Sequence, residues 1–321
     1  MIKVKEAKYL GIWLSCSVSG SVAATVNHRL GLASRSIFEI KAVIEDSRAD
    51  SLGSVEVGLT LWEQSVIPFL LFACETWNEI PNKTMKQLTN LNNRFLKSIM
   101  GVGKYGCPLP SLYLETGSWT IQNRILLKKV LFFHHLATLP TSSLGSECFQ
   151  VQRRGLPGIV TECLELFKKW NIKNVESYSK WSWRRRMKSL LAKKNYEDIL
   201  EWGREYKKIN LESYDRQEFT MKEYLKTLNL KNARMIFRRN CGMIQTVRSN
   251  FKNDKRYKSE KYLCPDCRHL EIPVSHVDQQ DLLTTCEGNR DLREGLELSN
   301  LSQLAEYFRR VIDRRTQRYG G

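Results

Sequence analysis

Pro81-Asn82-Lys83-Thr84-Met85-Lys86-Gln87-Leu88-Thr89-Asn90-Leu91-Asn92-Asn93-Arg94-Phe95-Leu96-Lys97-Ser98-Ile99-Met100-Gly101 decides the fold class. Met85, Leu88, Leu91, Phe95 and Ile99 recur every three or four residues, which lays one apolar stripe along a helix. Pro81-Asn82 marks its start, asparagine being a favoured cap, and Gly101-Val102-Gly103 stops it. The same spacing returns upstream in 21–45, through Val26, Leu30, Ile37, Ile40 and Ile44, and downstream in 120–139, through Ile121, Ile125, Phe132 and Leu136. Further helical patterns run over 159–170, 180–194, 195–209, 218–228, 231–250 and 301–318. The one strand candidate is Tyr9-Leu10-Gly11-Ile12-Trp13-Leu14-Ser15. Residues 51–58 read as a loop, and 140–158, with their Ser, Gly and Pro, as a linker. The pattern predicts a mainly α fold.

Outward from that helix the most apolar stretch is Val66-Ile67-Pro68-Phe69-Leu70-Leu71-Phe72-Ala73-Cys74. Glu63 and Glu75 bound it, so it is about half of the ~20 residues that a membrane span requires. It reads as a buried helix over 59–77 with a proline kink, and no membrane partner is expected. The nine cysteines are an odd number, and the first residues hold no apolar run of signal-peptide length. A reducing compartment, nuclear or cytoplasmic, is therefore expected rather than a secreted disulfide framework.

The 321 residues carry 51 Lys and Arg against 34 Asp and Glu, a formal charge of +17. With hydrophobic residues at 42%, the chain has enough apolar material for a packed core, so the charge is not a signature of disorder. Its distribution is uneven: +4 over 1–150, +14 over 151–260 and −1 over 261–321. A basic middle flanked by near-neutral segments points to a polyanion-facing surface. The densest run is Lys180-Trp181-Ser182-Trp183-Arg184-Arg185-Arg186-Met187-Lys188, with Lys193-Lys194 just beyond. Its cations can neutralise phosphates, and Trp181 and Trp183 can stack on bases. The alternatives are a solvated helix face with the tryptophans in the core, and a membrane-surface or calmodulin-type target helix.

Cys264-Pro265-Asp266-Cys267 has the spacing at which two thiolates bind one zinc ion tetrahedrally. His276 and Cys286 complete a candidate set, C-x2-C-x8-H-x9-C, with His269 and Asp281 as competing ligands. Gly101-Val102-Gly103-Lys104-Tyr105-Gly106 matches G-x-G-x-x-G, yet it follows a helix where a dinucleotide site needs a strand, so it reads as a helix cap and turn. His134 and His135 point about 100° apart on their helix and share no ligand face. The chain contains no adjacent Asp-Asp pair and no convincing carboxylate set for a two-metal polymerase site, so no catalytic residue is assigned.

Taken together, several runs resemble non-LTR retrotransposon reverse transcriptases. Lys8-Tyr9-Leu10-Gly11-Ile12 resembles the primer-grip hairpin, and Ile67-Pro68-Phe69-Leu70-Leu71-Phe72-Ala73-Cys74-Glu75-Thr76-Trp77 the family's helix ending in a glutamate and a tryptophan. Arg94-Phe95-Leu96-Lys97-Ser98-Ile99-Met100-Gly101-Val102, followed by Leu114-Glu115-Thr116-Gly117, is similar to its thumb helices. Cys264-Pro265-Asp266-Cys267 and Leu282-Leu283-Thr284-Thr285-Cys286 resemble its cysteine–histidine knuckle, and Arg290-Asp291-Leu292-Arg293-Glu294 is similar to the segment just beyond the knuckle. Where the family places a histidine before the last knuckle cysteine this chain has Asp281, so that ligand shifts to His276 or is lost. The order of these motifs, over about 8–136 and 231–315, is more specific than any one of them.

The resemblance implies a primer-grip remnant and helical thumb-like bundle over 1–139, a linker over 140–158, a basic helical segment over 159–260, and a zinc-knuckle-like module with a C-terminal helix over 261–321. The family's palm, with its catalytic Asp-Asp, would precede Lys8. The expected function is that of a C-terminal part of an RNA-directed DNA polymerase, binding RNA and DNA as template–primer without the catalytic centre. The alternative is a non-catalytic nucleic-acid-binding protein derived from such an element.

Overall fold

The structure, a computed structural model, describes residues 6–9, 11–46, 52–102, 107–156, 158–205, 214, 219–241, 286 and 289–319. They are mainly helical. The run read as one strand is a hairpin: β1 (Glu6–Tyr9) pairs antiparallel with β2 (Ile12–Ser15), Tyr9 facing Ile12. Gly11 turns it at φ +81, a backbone conformation that favours glycine. Helix α1 (Val18–Asp46) comes next, burying Val26, Ile37, Ile40 and Ile44.

Helix α2 (Ser54–Leu61) begins inside the stretch expected to be a loop. It is too short for its period to show, yet Val55 and Leu59, one turn apart, are both buried. Gly58 lets it approach closely: a Cβ there would meet Ile99 Cδ1 at 2.8 Å. The single kinked helix expected over 59–77 is broken into pieces. After α2 come a π turn (Trp62–Val66), α3 (Ile67–Leu70) and a 3-10 turn (Cys74–Thr76) entered through Ala73 at φ +59. Pro68 has no N–H to return to the preceding turn, and the π turn sits where that bond would fall.

Helix α4 (Asn82–Ile99) ends as its glycine predicts. Gly101 takes φ +61, its N–H bonds Ser98 O at 3.2 Å, and Val102 N–H reaches back to Lys97 O at 3.0 Å, the pair of bonds of a Schellman stop. Helix α5 (Leu109–Thr116) stops at Gly117, φ +63. Thr120 opens α6 (Ile121–Ala137) by accepting from Asn123 N at 3.3 Å. The expected linker holds a helix, α7 (Leu144–Arg153), capped by Ser143, with Phe149 2% exposed. Its apolar side is narrow and its flanks are rich in turn residues, which hid it. Then come α8 (Ile159–Lys169), α9 (Lys180–Arg204), α10 (Tyr224–Thr227), α11 (Leu230–Asn240), α12 (Arg290–Arg293) and α13 (Leu301–Tyr319). The two patterns at 180–194 and 195–209 are thus one helix through Arg204.

The chain divides into two compact units. The first comprises residues 1–40, 60–95 and 119–198. Its core gathers Val130, Phe133, Phe149, Cys163, Phe167, Trp183 and Met187 from α6 to α9. Trp62 stacks on Phe95 at 4.0 Å and donates its indole N–H to Asn92 Oδ1 at 3.0 Å. Arg29, buried on α1, donates to Phe72 O at 2.7 Å and Gly11 O at 2.9 Å, which ties the hairpin to the proline-broken segment. The second unit comprises 41–59, 96–118 and 199–321. In it α11 packs on α13, and Arg234 and Arg238 cap the end of α4 through Ile99 O at 2.9 Å and Gly101 O at 2.8 Å. Among the described residues, no helix is long and apolar enough to cross a membrane.

Candidate nucleic-acid interface

The basic run opens α9, and Ser179 caps it by accepting from Ser182 N at 3.2 Å. Trp183, Met187, Leu191 and Asn195 recur every four residues and are all buried. They fix the helix's phase. Trp183 packs edge-on to Phe167 with centroids 5.5 Å apart, stacks on His134 at 5.5 Å, and donates Nε1–H to Val130 O at 3.0 Å. His134 is itself buried, its Nε2 2.8 Å from Tyr178 O, so it is a packing residue. Asn195 is fully buried and its Oδ1 accepts from Thr120 N at 2.9 Å and Asn123 Nδ2 at 3.1 Å. The start of α6 is thereby fastened to the far end of this stretch of α9.

With that face turned inward, Trp181, Arg184, Arg185 and Lys188 fall within an arc of about 100° on the other side. All four are exposed, as is Lys180 beside them. Trp181 is 68% exposed, and the Arg185 guanidinium lies 5.5 Å from its ring centre. Lys180, Arg184 and Lys188 form no ion pair with a described residue. The result is a row of uncompensated cations around one exposed aromatic plane, which suits a phosphate backbone and a stacked base.

The structure sorts the nine expected contact residues. Trp183 is corrected: at 1% exposure it is core and cannot stack on a ligand. Arg186 is exposed but lies off the row, over the Tyr178 ring at 5.0 Å and hydrogen-bonded to the Tyr178 hydroxyl. Lys193 and Lys194 also lie off it, paired with Glu197 at 3.9 Å and Asp198 at 2.7 Å, one turn on in each case. Tyr178 carries no signal in the sequence. Only the helix start at Ser179 brings it back against Arg186.

Elsewhere in the first unit two cations are paired internally. Arg124 forms a two-pronged pair with Glu63, and the buried Lys129 ammonium meets Glu162 at 2.6 Å. Burial pushes the Cys74 and Cys163 thiols, and Cys107 in the second unit, up to about 12, so none of the three is a thiolate nucleophile at neutral pH.

Of the candidate zinc ligands, Cys264, Cys267 and His276 lie outside the described residues, as do His269 and Asp281. Cys286 is described and buried, with its carbonyl accepting from Asn289 N at 3.1 Å. Among the described residues no three His, Cys, Asp or Glu side chains are grouped to hold a metal ion. The last four residues of the G-x-G-x-x-G match are also outside; its first glycine is the stop of α4. Comparison of the chain with protein-family models, with curated proteins and with solved structures finds no match.

Proposed function

We propose that this chain grips an RNA–DNA template–primer as the C-terminal, thumb-bearing part of a non-LTR retrotransposon reverse transcriptase. The observation that carries the reading is the exposed row of Trp181, Arg184, Arg185 and Lys188 on a helix held rigid by Trp183. Such a row binds backbone without reading sequence, which is what a polymerase thumb requires. The order of the motifs along the chain supplies the family. The basic middle holds the duplex and the knuckle-like module adds a contact, with zinc held by Cys264, Cys267, His276 and Cys286. The chemistry of polymerisation is not assigned to residues of this chain.

The test is binding of a labelled RNA–DNA hybrid by the full chain, with zinc measured on the same preparation. The reading expects binding without primer extension, and one zinc per chain that Cys264→Ser removes. Failure to bind the hybrid would contradict the proposal, and zinc-free wild type would remove the metal from it.

A further inference from the structure

The first unit contains a second feature that the row on α9 does not use. Between the ends of α7 and α8 and the turn after α8 lies a hollow of about 340 Å³. Phe133, Leu164 and Phe167 form its apolar floor. Arg153, Lys168 and Lys173 stand at its rim, with one acid, Glu176, which Arg153 approaches to 3.5 Å. Lys168 and Lys173 are exposed and form no ion pair with a described residue. Asn171 and Asn174 both take the left-handed conformation, φ +52 and +53, and these two tight turns fold the chain around the opening.

An apolar floor under two uncompensated cations selects a ligand with a flat hydrophobic part and an anionic part. The size is at the small end of ligand sites, which excludes large ligands. We infer that this hollow is a nucleotide subsite, taking one base against its floor and the attached phosphate on Lys168 and Lys173. The inference rests on the reading that α9 carries a polynucleotide. From Glu176 at the hollow to Lys180 at the start of α9 is four residues, so their Cα atoms lie within about 14 Å. Along a duplex the phosphates of one strand rise about 3.4 Å each, so this gap is only a few nucleotides long. One strand can therefore reach both places.

The experiment is calorimetric titration of the full chain with adenosine 5′-monophosphate, adenosine and inorganic phosphate, each at low salt. The monophosphate should bind at least about tenfold tighter than either part alone, because base and phosphate are held together. Lys168→Glu with Lys173→Glu, both exposed, should abolish that titration, and Leu164→Trp should block it by filling the floor. Arg184→Glu with Arg185→Glu should leave the tighter binding of the monophosphate over phosphate in place. Monophosphate binding no tighter than phosphate, or an unaltered lysine variant, would overturn the subsite, as would tighter binding of an acidic phenylalanine-bearing peptide. The α9 reading fails separately: in that case the Arg184/Arg185 variant would bind the hybrid like wild type.

Discussion

Trp181 and Trp183 stand two residues apart in one basic run, and their burial divides their roles. Trp183 fills the junction of Phe167, His134 and Val130, while Trp181 lies 68% exposed beneath Arg185. Trp183→Ala should cost about 3–5 kcal/mol of stability, the range for emptying a buried aromatic site. Trp181→Ala should cost under about 0.5 kcal/mol of stability, as surface changes do, and weaken single-strand binding by about 1–3 kcal/mol. Urea midpoints and fluorescence anisotropy on the two variants decide this. Equal losses of stability would contradict the assigned phase of α9. The phase was legible in principle, since Trp183, Met187 and Leu191 repeat every four residues. The arginines between them mask the pattern, because composition averages over faces that a helix separates.

At the scale of elements, the second unit is tied by a buried carboxyl. Glu115 on α5 accepts from the Tyr214 hydroxyl and, at 2.8 Å, from the Tyr224 hydroxyl on α10. Its main chain takes part as well, Glu115 O accepting from Lys222 N at 3.0 Å. Burial raises the Glu115 pKa, with the two tyrosine bonds opposing the shift. A folded-state pKa above the unfolded one gives stability that is complete below about pH 4.3 and is lost as pH rises through the raised value. Glu115→Gln keeps the shape and removes the titration. The wild type should therefore lose more stability than the variant across that window, in urea midpoints paired with amide exchange in α5. Matching slopes would contradict the role given to Glu115.

The same scale shows why some elements could be read and others not. Helix α4 was legible because its stripe is long and its stop is a glycine. Helices α2 and α7 are two to three turns each, and in the 59–77 stretch the apolar residues surround the helix, so periodicity carries no phase. The tie from Arg29 to Phe72 O spans 43 residues. No local pattern encodes such a contact. On α9 the cations were legible as a class. Which of them stay uncompensated was not, because Glu197 and Asp198 neutralise Lys193 and Lys194 only once one helix continues through both.

At the scale of the whole molecule, the +17 charge is a field that favours any polyanion, and by itself it distinguishes nothing. Among the described residues, a buried face on α9 turns one row of these cations outward. Binding that depends on this row must release counterions, so log K should fall linearly with log salt. The decisive measurement is that slope for an RNA–DNA hybrid, on wild type and on the variant carrying Arg184→Glu, Arg185→Glu and Lys188→Glu. The account predicts weaker binding and a slope shallower by about one for each cation removed. A variant with the wild-type slope and affinity would contradict it.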